Sequence, residues 1–222
     1  MSVTKVTVDG MDLSSDVTLS GTTPTLTIGD AGAEDAAIVF DGNAQDFHVG
    51  LDDTADSLAI GLGSALGTTD HMVFDATGAI TKPLQPCVMV HPASTQSNIA
   101  ASTTVDIIWG TERFDIGGDF ASNTFVAPVT GRYQVNVELR LDNLDTAANY
   151  VALYALSSNK NYASSLLDYS VLGADAERWI QSFSGIIDMD ASDTFKVQLY
   201  IDGGSAQTDV DVNSFLSIGL FS

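Results

Sequence analysis

The chain has 222 residues, 45% of them hydrophobic, and a formal net charge of -21 from 29 acidic and 8 basic residues. That length and apolar content suffice for a buried core in one or two domains and exclude a disordered chain. The acidity excludes a nucleic-acid binder that works by neutralising phosphate, and no segment approaches the ~20 apolar residues of a membrane-spanning helix, so neither nucleic acid nor membrane insertion is expected.

One cysteine, Cys87, cannot form an intrachain disulfide, so the fold must stand on packing. The opening residues MSVTKVTVDGMDLSS hold no apolar run of the signal-peptide kind. Synthesis in a cytoplasm without a secretory signal is therefore expected. The acidity suits calcium or another divalent ion, although solubility and colloidal repulsion explain the same charge; no other cofactor is expected.

Residues 1–82 read as a repetitive short-strand region. Apolar runs recur at Leu26-Thr27-Ile28, Ile38-Val39-Phe40, Phe47-His48-Val49, Leu58-Ala59-Ile60 and Met72-Val73-Phe74, each closed by Gly or Asp. The steps from Ile28 to Phe40, Val49, Ile60 and Phe74 are 12, 9, 11 and 14 residues, a strand-and-turn rhythm without helical period. Strands this short bury too little apolar surface to offset their ordering entropy. Identical chains packed side by side or intertwined, three copies sharing each thin layer, would supply the missing core. A parallel solenoid within one chain is the alternative reading.

Residues 83–86 hold Pro83 and Pro86, which lack a backbone donor and mark a connector. Residues 87–222 differ in composition, holding both Trp and all six Tyr. Residues 105–109 are a strand candidate. Residues 133–141 alternate, with Tyr133, Val135, Val137, Leu139 and Leu141 on one face. Further strands are expected over 150–156, 179–187, 195–201 and 215–221, with a single helical turn at Ala174-Asp175-Ala176-Glu177. The implied fold class is all-β, with a sandwich or jelly roll in this second region.

Catalytic chemistry is sparse. Asp52-Asp53 and Asp209/Asp211 are the best carboxylate pairs, but glycoside hydrolysis needs two acids about 5–9.5 Å apart across a cleft, and Asp52-Asp53 sits in a repeat turn. His48, His71 and His91 are scattered, and Cys87-x-x-x-His91 has no second pair to close a metal site. The run from Gly61 through Gly63 to Gly67 imitates a dinucleotide fingerprint, but no long helix follows to hold a phosphate. No enzyme is expected, and neither catalytic nor metal residues are assigned. Trp109, Trp179, Tyr154, Tyr162, Tyr169 and Tyr200 suit either a glycan platform or core and interface. Tyr162 and Tyr169, in polar, loop-like stretches, are the candidate ligand-binding residues.

The second region resembles the jelly-roll head of the complement globular-head family and the tumour-necrosis-factor superfamily. Phe114-Asp115 with Asp119-Phe120 resembles the opening of the pattern, and residues 125–133 (FVAPVTGRY) are its sharpest match. Ser184-Gly185-Ile186-Ile187 with residues 193–197 resembles its strand-turn-strand segment, and residues 214–220 its closing strand. The loops differ in length from the family's. The resemblance implies a homotrimer, with Phe120, Phe125, Tyr133, Phe183, Phe195 and Phe215 in its core or interface. Residues 28–47 and 60–69 look like segments of structural proteins from marine tailed bacteriophages. Together these imply a virion surface protein, a fibre or decoration protein fastened to capsid or tail proteins by residues 1–82 and projecting the head of residues 87–222. The alternative is a short tail fibre whose head recognises a host surface glycan; a polysaccharide-cutting spike is the less favoured third reading.

Overall fold

The structure is a computed structural model that describes residues 18–222, with the backbone alone for residues 163–165 and 170. Residues 1–17, the start of the expected anchor region, lie outside the described residues. Among the described residues regular structure is strand throughout, apart from one 3₁₀ turn at Tyr169–Leu172, and no helix is long and apolar enough to cross a membrane. The chain divides into two compact units. One holds the described residues up to 69 with 74–79, the other 70–73 with 80–222.

The N-terminal sheet takes its strands in chain order: β1 (Ala36–Phe40), β2 (Phe47–Asp52), β3 (Ser57–Leu62), β4 (Asp70–Asp75) and β5 (Ile80–Thr81). Antiparallel register aligns Ala36, Leu51 and Leu58 in one row, Ile38, Val49 and Ile60 in the next, and Phe40, Phe47 and Leu62 in a third. Period-two alternation places all nine on one face. The opposite face carries His48, Gly50, Ser57, Ala59 and Gly61, all buried. The loop after β3 folds back over that face. His48 Nδ1 lies 3.0 Å from the Gly63 carbonyl, and the amide of Leu62 donates to Thr69 at 2.9 Å. A Cβ on Gly61 would fall 2.5 Å from the Thr69 oxygen and 2.6 Å from His48 Cε1, so only glycine lets the loop approach.

The second unit is a two-layer sandwich of β6 (Cys87–His91), β7 (Thr104–Asp106), β8 (Thr111–Ile116), β9 (Phe120–Ala121), β10 (Thr124–Val126), β11 (Gly131–Leu144), β12 (Ala148–Ser157), β13 (Asn161–Leu167), β14 (Ala176–Met189), β15 (Thr194–Gly203), β16 (Asp209–Val210) and β17 (Phe215–Leu220). One sheet runs β14-β11-β17-β6-β8, with β16 beside β11; the other runs β13-β12-β15-β10-β9, with β7 beside β15. The late strand β17 lies between β6 and β11, and the late strand β15 between β10 and β12. The chain changes sheet at β6 to β7, β7 to β8, β8 to β9, β10 to β11, β11 to β12, β13 to β14, β14 to β15 and β15 to β16. Interleaving of early and late strands with repeated crossing is jelly-roll topology, so this unit is an all-β jelly-roll sandwich.

The alternation read in residues 133–141 sets the core. Tyr133, Val135, Val137, Leu139 and Leu141 of β11 are all buried, as are Val151, Leu153 and Ala155 of β12 and Phe195, Val197, Leu199 and Ile201 of β15. Each Val, Leu, Ile or Phe among them contributes about 1.5–3 kcal/mol on full burial.

Two expected elements differ. The strand expected over residues 105–109 runs only over Thr104–Asp106; Ile107 N still donates to Val197 of β15 at 3.1 Å, and side chains take over the backbone amides from Ile108 on. The Gln96 amide donates to the Asp106 carbonyl at 3.0 Å and its oxygen accepts from Ile108 N at 3.1 Å, while Asn123 accepts from Trp109 N at 2.8 Å. The helical turn expected at Ala174–Glu177 is absent. The turn lies earlier, at Tyr169–Leu172, and Ala176 already pairs with Leu144 in β14.

Candidate functional site

Four of the six aromatics expected at a trimer core or interface close the core of a single chain. Phe120, Phe125, Tyr133 and Phe195 are buried, Phe125 faces Phe195 across β10 and β15, and the Phe125 and Tyr133 rings meet edge-on at 5.6 Å. Phe183 is half-buried against that core, 6.1 Å from the ring of Tyr162. Phe215 is half-buried and opposite Glu138, on the outward face of its sheet.

The two ligand-loop candidates are placed differently from expectation. Tyr162 lies on β13, beside Phe183, with Lys160 Nζ 4.8 Å above its ring. Tyr169 is fully buried in the head core, and burial pushes its phenol far up. The polar neighbours that suggested a loop are the 3₁₀ turn; the turn directs the Tyr169 ring inward. Trp109 is buried, and Trp179 is partly exposed on β14, where it lines an open concavity of about 530 Å³ with Arg140, Arg178 and Ile180.

The carboxylate pairs are occupied as hydrogen-bond acceptors. Asp209 accepts from Asn98 N at 2.7 Å and Asn143 Nδ2 at 2.9 Å; Asp211 accepts from Asn213 N and lies 3.6 Å from Arg140. Asp52 accepts from Ala55 N at 3.0 Å. Among the described residues no three His, Cys, Asp or Glu side chains group to hold a metal.

What the structure brings together instead are two sheet faces suited to association. The first is the three-by-three apolar lattice of β1, β2 and β3. Ile38, Phe40, Phe47, Leu51 and Leu58 are 43–58% exposed there, and the other four positions are half-buried. The apolar runs are plain in the sequence; only the register shows that they fall into rows.

The second is the outward face of β14-β11-β17-β6-β8. Its register rows are Phe114, Met89, Ser217, Asn136 and Ser184, then Ile116, Cys87, Gly219, Gln134 and Ile186. The central polar side chains satisfy one another. Ser184 donates to Asn136 Oδ1 at 2.8 Å, Gln134 Nε2 to the same oxygen at 3.1 Å, and Asn136 Nδ2 to Ser217 Oγ at 3.4 Å. Exposed Phe114, Ile180 and Ile186 flank them. A face whose polar groups are already paired loses little on leaving water.

At one end of the sandwich Leu84, Pro86, Ile116, Val129 and Leu220 line an apolar cavity of about 430 Å³ with Asp119 in its wall. Burial, and secondarily the charge of Asp115, hold the Asp119 carboxyl above the usual carboxylate range.

No protein-family model matches the chain, and no curated protein matches it. Among solved structures, the globular domain of a zebrafish complement 1qA protein is similar at a TM-score of 0.43 and 13% identity, over 62% of this chain and 98% of that one. Murine APRIL at pH 8.5 is similar at a TM-score of 0.44 and 11% identity, over 62% and 99%. Murine APRIL at pH 5.0 gives 0.42 and 10% over the same shares. The jelly-roll assignment rests on the strand order above.

Proposed function

We propose that this protein is a non-enzymatic, self-associating structural protein of a virion surface: a homotrimeric fibre or decoration protein whose N-terminal region fastens to capsid or tail proteins and whose jelly-roll head projects. The observation that carries the association is the apolar lattice of β1, β2 and β3, exposed on one face of a sheet whose other face is buried along β2 and β3. Copies of a chain with net charge -21 repel one another, so close apolar fit must hold them together.

The magnitudes leave the lattice by itself a narrow margin. Five large side chains, each about half exposed, would gain roughly 1 kcal/mol apiece on burial, ~5 kcal/mol per copy. Association costs an estimated ~4–15 kcal/mol in lost freedom. The outward face of the β14-β11-β17-β6-β8 sheet is the second surface assigned to the association. The threefold count rests on the resemblance of residues 125–133 and 214–220 to trimeric heads, and the virion setting on the phage-like segments of residues 28–47 and 60–69.

Sedimentation equilibrium of the full chain tests the association. A single species of three times 23.3 kDa is expected at micromolar concentration. The Ile38→Asp/Phe47→Asp double variant is expected to sediment as a smaller species with its head folded. A monomeric wild type would overturn the reading. Antibody labelling of particles from the virus that encodes this chain tests the rest: label is expected on the particle surface, and unlabelled particles would remove the virion assignment.

A further inference from the structure

The outward face of the second head sheet carries three tyrosines in a strip. Alternation along β12 buries Val151, Leu153 and Ala155 in the core and turns Tyr150, Ala152 and Tyr154 the other way. On β15 it buries Val197, Leu199 and Ile201 and turns Gln198, Tyr200 and Asp202 outward. Across the ladder Tyr150 faces Asp202, Ala152 faces Tyr200 and Tyr154 faces Gln198. Tyr200 therefore stands diagonally between Tyr150 and Tyr154, each about 7–8 Å away in backbone terms, over the small residue of the row. Ala152 is only 2% exposed although alternation turns it away from the inward cluster, so outward side chains cover it. The Tyr150 and Tyr200 rings lie 5.9 Å apart at 43°, and all three rings remain half-exposed.

Hydrogen-bonding groups edge the strip. Tyr200 donates to Asp202 Oδ1 at 3.1 Å, and Asn149 Nδ2 donates to Asp202 Oδ2 at 2.8 Å. Beyond Tyr154, the Gln198 amide and Lys196 ammonium both donate to Asp106. Three amphipathic rings give rigid contact area at little cost in side-chain entropy, and a carboxylate with two amides beside them offers both acceptors and donors. That combination fits a pyranose, which presents an aliphatic C–H face to a ring and hydroxyls at its edge. It disfavours an acidic ligand, because Asp202 and Asp106 repel one and Lys196 is already paired with Asp106.

We propose that Tyr150, Tyr154 and Tyr200, with Asn149, Gln198 and Asp202 at their rim, form a binding site for a neutral oligosaccharide. The rings hold the apolar faces of successive sugars, and Asp202 accepts from a hydroxyl that takes the place of one of its present donors. Partial burial of the Tyr150 ring, and secondarily the neighbouring Asp202 charge, hold its phenol above the usual value. The strip lies within one chain, so it binds sugar in a monomer and in a trimer alike.

The test uses the full chain and saturation-transfer-difference NMR with maltotriose, cellotriose, mannotriose and N-acetylchitotriose, and 3'-sialyllactose as the acidic comparison. At least one neutral trisaccharide is expected to bind and the acidic one not. Tyr200→Ala and Tyr150→Ala are expected to weaken binding at least about tenfold, Tyr200→Phe to keep most of it, and Trp179→Ala, on the other sheet, to leave it unchanged. Circular dichroism confirms that each variant is folded. Absence of binding by every neutral sugar, preference for the acidic one, or binding that survives Tyr200→Ala and Tyr150→Ala in folded protein would each overturn the site. A trimer that binds no sugar would remove this site and leave the association standing; a monomer that binds one would do the reverse.

Discussion

Tyr133 donates its hydroxyl to the backbone carbonyl of Val129 at 2.6 Å while its ring, fully buried, meets Phe125 edge-on. The bond ties the turn that follows Pro128 to the start of β11, the strand paired with both β14 and β17. One side chain thus fixes both the packing of the core and the entry angle of its longest ladder.

Removing these two contributions separately should give distinct losses. Tyr133→Phe deletes the hydrogen bond and is expected to cost about 0.5–1.5 kcal/mol. Tyr133→Ala also leaves a cavity and is expected to cost about 3–5 kcal/mol. Urea denaturation of the head followed by Trp fluorescence measures both, and equal effects would show that the ring contributes nothing beyond the hydroxyl.

Asp145 should make stability depend on acid. Its carboxylate accepts from the amide of Ser205 at 2.6 Å, the hydroxyl of Ser205 at 2.7 Å and the amide of Ala147 at 2.8 Å, which holds it below the usual carboxylate range. A depressed folded value means stability that is present above the unfolded value, near about 4, and lost as pH falls through the folded one. Asp145→Asn is expected to lose about 1.5–3 kcal/mol at neutral pH, with the difference from wild type closing below about pH 4. Thermal melts at several pH values check this; a constant difference into acid would contradict it.

Gly61 sits where a Cβ would strike the Thr69 carbonyl and the His48 ring. Gly61→Ala is therefore expected to lift the covering loop off the closed face of the N-terminal sheet, at a cost of about 1–3 kcal/mol. Hydrogen exchange should quicken over residues 47–62 and stay unchanged over 131–144.

Association should tighten with salt. Copies with net charge -21 repel, and the proposed contacts are apolar, so screening removes the opposing force without weakening the favourable one. Sedimentation at 20 and 500 mM sodium chloride is the measurement, and looser association at high salt would point to ion pairs instead.

Local pattern made the head core legible. In residues 133–141 every second residue is apolar, and those five side chains are the ones buried. Tyr169 was illegible because the residues flanking it are polar and only the 3₁₀ turn brings its ring inward. Residues 107–109 read as strand by composition, but only Ile107 still bonds β15, through Val197, while Gln96 and Asn123 take the amides of Ile108 and Trp109. The apolar lattice and the tyrosine strip were hidden for a related reason: each joins residues from different strands, and only the pairing register puts Phe40 beside Phe47 or Tyr200 over Ala152.

The alternation of β12 and β15 has a consequence for how this head can change over generations. Tyr150 is one step from Val151, Tyr154 stands between Leu153 and Ala155, and Tyr200 between Leu199 and Ile201, all buried. Each strip residue is adjacent in sequence to a core residue yet separated from it by the thickness of a sheet. Mutation can therefore redraw the outward surface codon by codon while the inward set, and with it the ability to fold, is inherited intact.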